Sequence, residues 1–103
     1  MLSGRMRRVA LALILSASSA AAQPSDAHRF CAMTAPPADR EPCVAAQIQG
    51  AREVVRYLTW AKTSSDAATT HIIELSEDCA RLWAPDYAAI AACLKSRAAI
   101  SPP

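Results

Sequence analysis

The stretch Cys43–Lys62, CVAAQIQGAREVVRYLTWAK, decides the fold. Val44, Ile48, Ala51, Val55 and Leu58 recur at steps of four, three, four and three, which places them on one face of an α-helix. Val54 and Ala61 widen the stripe toward its far end, and Gln47 interrupts it near the start. Asp39 or Glu41 can cap this first helix, and Pro42 is tolerated in a first turn. The helix is expected to stop near Lys62, before Thr63-Ser64-Ser65.

Working outward, Ser65 or Asp66 caps a second helix over about Ala67 to Trp83. Ile72, Leu75 or Ser76, Cys79, and Leu82 or Trp83 form its inner face. Pro85 ends it. Pro85 or Asp86 opens a third helix, with Tyr87, Ile90, Ala91, Leu94 and Ala98 inward. Upstream, a short helical turn is expected from Asp26 to about Met33, followed by irregular chain at Ala35-Pro36-Pro37-Ala38. No segment alternates with the two-residue period of a half-buried strand. The fold class is therefore all-α: a small three-helix up-down bundle with a short N-terminal helical turn, stapled by two disulfides. The bundle spans 42–100, the turn and Pro-rich loop 23–41, and residues 101–103 form a tail expected to fray.

The beginning of the chain reads as an address. Arg5, Arg7 and Arg8 precede an apolar run, Val9–Leu15, and then small residues through Ala22. This three-part pattern is that of a secretory signal peptide over residues 1–22, cleaved before Gln23. Arg7-Arg8 leaves the twin-arginine route open beside the general one. The apolar run is too short to span a bilayer comfortably, so no stable membrane span is expected after cleavage. The 103-residue precursor has a formal charge of +2, and three of its cations fall in the signal. Gln23–Pro103 keeps 8 Lys+Arg against 9 Asp+Glu, a net −1. A chain of that balance lacks the basic face that phosphate neutralisation needs, so nucleic acid is not an expected partner. Only 2 glycines are present, which argues against phosphate-cradling loops.

All 4 cysteines, Cys31, Cys43, Cys79 and Cys93, lie downstream of the signal. An even count in a small exported chain reads as a disulfide framework, because a domain of this size gains little from its core alone. The local pairs Cys31–Cys43 and Cys79–Cys93 are favoured: antiparallel helices around Pro85 bring Cys79 and Cys93 to similar heights. Cys43–Cys79 with Cys31–Cys93 stays open, because Cys43 starts the first helix where the second finishes. Neither the two-to-four-residue spacing of zinc cysteines nor a Cys-x-x-Cys redox pair is present.

The two cysteine units are similarly punctuated. Cys31 is followed by Pro36-Pro37, Asp39 and Cys43; Cys79 is followed by Pro85, Asp86 and Cys93. The segment from Cys79 through Trp83, Pro85, Asp86 and Tyr87 to Cys93 resembles the Cys–Trp–Pro–Asp–Tyr–Cys motif of small exported bacterial helical proteins. Ala84, between the tryptophan and the proline, departs from that pattern. The resemblance covers about 15 of the 103 residues and implies export, helices and disulfides, but carries no activity with it.

Candidate chemistry is sparse. His28 and His71 are the 2 histidines and read as surface or partly buried side chains. Glu74, Glu77 and Asp78 read as a solvated helix face. No Gly-x-Ser-x-Gly motif accompanies the serines. The chain is not expected to be an enzyme, and no cofactor or metal is called for. The most distinctive surface is on the first helix, where Arg52, Arg56 and Trp60 recur at helical spacing with Tyr57 beside them. Arg and Trp are enriched in binding hot spots, which makes these four a candidate partner surface. The expected function is that of a periplasmic or secreted binding or accessory protein, whose partner is another envelope protein. A thiol–disulfide oxidoreductase or a metal-binding periplasmic protein is the alternative.

Overall fold

The computed structural model describes residues 24–103, and the proposed signal segment lies outside the described residues. Four α-helices follow in order: α1 Pro24–Thr34, α2 Arg40–Ser64, α3 Asp66–Trp83 and α4 Tyr87–Arg97. A 3-10 turn, Pro37–Asp39, links α1 to α2. No strand occurs among the described residues.

The expected N-terminal turn is a helix of 11 residues. Asp26 sits in its first turn, where the helix dipole favours an acid. Beyond Thr34, whose Oγ1 donates to Phe30 O at 2.8 Å, the prolines at 36 and 37 stop it. Ala27 and Cys31 are one helical step apart and pack with Val44 of α2, with Phe30, Cys43 and Ile48 closing the edge. This small core belongs to α1 and α2 alone.

Helix α2 has 25 residues, about 37 Å of rise, and α1, α3 and α4 all pack against it. It runs two residues past Lys62, where Thr63 and Ser64 hydroxyls donate back to Trp60 O at 2.8 and 3.1 Å. Asp39 stands at its N-cap but makes no side-chain cap bond. The expected apolar face is rotated. Val44 and Ala51 are buried, Ile48 and Leu58 are half-buried, and Val55 is 52% exposed. The inward stripe facing α3 and α4 is Gln47, Gly50, Val54, Tyr57 and Ala61, again at three-four spacing, with Val54 only half-buried.

Helix α3 starts at Ser65, whose Oγ accepts from Ala68 N at 3.0 Å. Ala68, Ile72 and Cys79 are buried, and Leu75 is half-buried. Leu82 or Trp83 was expected inward, but they are 59% and 51% exposed. Both lie in the last turn, beyond the level at which Cys79 meets α4. Helix α4 starts at Asp86, whose Oδ1 accepts from Ala89 N at 3.1 Å. Ile90, Cys93 and Leu94 are buried, while Tyr87, Ala91 and Ala98 are half-buried. Helices α2, α3 and α4 run up, down and up around a core of Tyr57, Ala61, Ala68, Ile72, Cys79, Ile90, Cys93 and Leu94.

Both local disulfides are present. Cys31–Cys43 joins α1 to α2 and Cys79–Cys93 joins α3 to α4, each with Cα atoms 5.8 Å apart. In the chain-entropy model each loop of this length contributes about 3 kcal/mol.

No disulfide links the α1–α2 half to the α3–α4 half. Beside the shared core, a polar clamp and a backbone contact join them. Gln47 is 6% exposed; its Nε2 donates to Asp86 Oδ1 at 2.8 Å and its Oε1 accepts from Tyr87 N at 2.7 Å. The amide thus satisfies a first-turn N–H of α4 and holds that helix's cap. One turn further along, Gly50 meets the backbone of Tyr87 and Ala88 so closely that no side chain fits between.

Candidate functional site

Three of the four residues read as a partner surface share one face of α2. Arg52 and Arg56 are exposed and Trp60 is half-buried. Tyr57 does not belong with them. It is 4% exposed and part of the main core, because its position falls on the stripe of Gln47, Gly50 and Ala61.

The exposed face is a shallow, widely open groove of about 520 Å³, lined by Arg52, Val55, Arg56, Thr59, Trp60 and Thr63 on one side and by Pro102 and Pro103 on the other. The tail lies against this face: Pro102 is half-buried, and Arg56 Nη2 donates to the main-chain oxygen of Pro103 at 2.8 Å. Arg56 also pairs with Glu53 at 3.6 Å. Arg52 takes part in no salt bridge among the described residues. Trp60 walls this groove and also a second cleft of about 430 Å³, which includes Ser64, Ser65, Ala68, His71, Ala99 and Ile100.

The second cleft brings serines near a histidine, yet their polar atoms hold the backbone. Ser64 Oγ donates to Trp60 O, Ser65 Oγ caps α3, and His71 Nε2 accepts from Ala99 N at 3.3 Å. Nucleophilic catalysis needs the hydroxyl bonded to its base, and neither serine has that contact. His28 is exposed, as are Glu74, Glu77 and Asp78, and Asp78 pairs with Arg81. Among the described residues no group of three or more His, Cys, Asp or Glu is placed to hold a metal ion. Cys31 and Cys79 are fully buried and Cys93 is 7% exposed, whereas Cys43 is half-buried.

One ionisable group is clearly perturbed. Burial raises the Tyr87 hydroxyl above its ordinary value of 10.0, and the nearby Asp26 carboxylate raises it further. Tyr87 is not part of the lining of the groove.

No protein-family model, curated protein or solved structure matches the chain. The groove is thus read from its own residues. Sequence reading found Arg52, Arg56 and Trp60. It missed Val55, which was counted as core, and Thr59 and Thr63, which continue the same stripe at helical spacing. It also missed Pro102-Pro103. Their signal was compositional: proline lacks an N–H and favours extended chain that docks on aromatic walls.

Proposed function

We propose that this chain is an exported, disulfide-stapled helical protein that acts by binding another protein of the cell envelope through the outer face of α2. The observation that carries this reading is the groove itself. It combines an aromatic wall at Trp60, two guanidinium groups at Arg52 and Arg56, and a half-exposed Val55. Arginine and tryptophan supply most of the energy in many small interfaces, through stacking, packing and multiple donors. The two disulfides fit an oxidising compartment, and no helix among the described residues is long and apolar enough to cross a membrane.

A photo-reactive residue at Thr59, compared with one at Glu77 on α3, tests the reading in intact cells. The expected result is a discrete adduct with an envelope protein from position 59 only, lost in Arg56→Ala and Trp60→Ala chains that keep native circular dichroism. Equal adducts from both positions, or none from position 59, refute it. N-terminal sequencing of the exported protein tests the address, with Gln23 expected as the first residue.

A further inference from the structure

We propose that the α2 groove recognises an extended, proline-containing peptide with an acidic residue at its Arg52 end, and that this chain's own Ser101–Pro103 segment is an intramolecular competitor for it. The inference rests on the reading of the outer face of α2 as a protein-binding surface and specifies the partner's chemistry.

The path of the segment is the first argument. Ala98 N closes α4 on Leu94 O, and Ala99 N then donates to His71 Nε2 of α3. Ile100 lies in the cleft on one side of Trp60, and Pro102 and Pro103 lie in the groove on the other. The chain thus passes Trp60 and reaches Arg56, whose guanidinium takes the Pro103 oxygen. Proline offers rings and carbonyl oxygens but no N–H. A surface that reads it needs an apolar or aromatic wall and donors aimed at carbonyls. Trp60 and Arg56 supply both.

Length is the second argument. From Arg52 to Thr63 the groove follows α2 for eleven residues, about 16 Å at 1.5 Å per residue. An extended proline-type chain rises about 3.1 Å per residue, so about five residues fill it. Pro102 and Pro103 supply two of them. Arg52 stands one helical turn before Arg56 on the same wall and has no salt-bridge partner among the described residues. A carboxylate there would gain a charge-assisted bond that the chain's own segment does not make.

Competition is the third argument. The contacts of Arg56 with Pro103 and of Ala99 with His71 are both solvent-exposed, so the segment is held without a buried anchor. A groove closed about nine-tenths of the time weakens an external ligand about tenfold.

The test uses the full oxidised chain and a fluorophore-labelled peptide, acetyl-Ser-Pro-Pro-Ala-Asp-Asp-amide, read by anisotropy. The Pro102→Gly/Pro103→Gly chain is expected to bind it saturably and about tenfold more tightly than the unaltered chain. Replacing the peptide's prolines by alanine, or its aspartates by lysine, is expected to weaken binding at least tenfold. Adding Arg56→Ala to the opened chain is expected to do the same, and that exposed change leaves the core intact. An opened chain with native circular dichroism that binds nothing, or binds the alanine and proline peptides equally, overturns the recognition. Equal affinity in opened and unaltered chains overturns the competition. Peptide failure with a persisting Thr59 adduct defeats this inference alone. Failure of both removes the binding surface as well.

Discussion

Gly50→Ala tests how the two halves of the molecule are joined. By helix propensity alone, alanine in the middle of α2 should stabilise the chain by about 1 kcal/mol. The structure reverses that sign. A Cβ at this position would lie 2.6 Å from Tyr87 C and 2.7 Å from Ala88 N, with Tyr87 O nearer still. Ordinary carbon contacts are about 3.5–4.0 Å, so the start of α4 must retreat by about 1 Å. The obstructing atoms are backbone and have no rotamer to change. The same retreat stretches the Gln47 bonds to Tyr87 N and Asp86 Oδ1 from 2.7 and 2.8 Å past hydrogen-bond range. Losing two bonds costs about 0.5–1.5 kcal/mol each, and overpacking adds about 1–3. Set against the propensity gain of about 1 kcal/mol, the net destabilisation is about 1–5 kcal/mol, centred near 3. For a domain of this size the central value lowers Tm by roughly 12–24 °C. Thermal unfolding of the oxidised protein, followed by far-ultraviolet circular dichroism, measures it. Exposed Ala46→Gly on the same helix serves as a control, with a loss of about 1 kcal/mol. A Gly50→Ala chain whose Tm is unchanged or raised would refute the close approach of α4 to α2.

Other outcomes follow from the same contacts. Gln47→Ala leaves the Tyr87 N–H without its partner and Asp86 without its donor, and is expected to cost about 2–3 kcal/mol in urea unfolding. Replacing Cys79 and Cys93 together by alanine is expected to cost about 2–4 kcal/mol, since that bond also lies in the main core. The Cys31/Cys43 pair replaced alike should instead release α1 first, seen as faster amide exchange over 24–34 than elsewhere. Tyr87 holds its proton more tightly in the fold than in the unfolded chain. Its contribution is therefore complete below its ordinary value of 10.0 and is lost as pH rises from there through the raised value. Urea midpoints at pH 9 and 11 should show that fall, and Asp26→Asn should make it smaller; equal falls in both chains would remove Asp26 as a cause.

Local signals made much of this fold legible in advance. Periodicity found α2 and α3, the caps were narrowed to Ser65 or Asp66 and to Pro85 or Asp86, and spacing around Pro85 favoured the observed disulfides. The rotational phase of α2 was not legible. Val55 extends the hydrophobic stripe as well as Tyr57 extends the buried one, and hydrophobicity does not rank them. Gly50 and Gln47 decide between the two. Glycine registers as no side chain and glutamine as a polar interruption. Their burial depends on groups 37 to 40 positions away, which only the assembled α4 supplies. Nor was the position of Pro102-Pro103 beside Arg56 and Trp60 legible, because it depends on residues about 40 positions upstream.

The pairing of near neighbours along the chain also bears on how the protein acquires its covalent structure. Cys31 meets a partner 12 positions later, whereas Cys79 stands 36 positions beyond Cys43. In a polypeptide that emerges amino end first, at about 5–20 residues per second, the first pair has a head start of roughly 2–7 s over the arrival of Cys79. During that interval Cys43 has no wrong thiol to meet. Once it is oxidised, Cys79 and Cys93 have only each other. Where oxidation of the first pair is complete within that interval, order of appearance selects one pairing out of three.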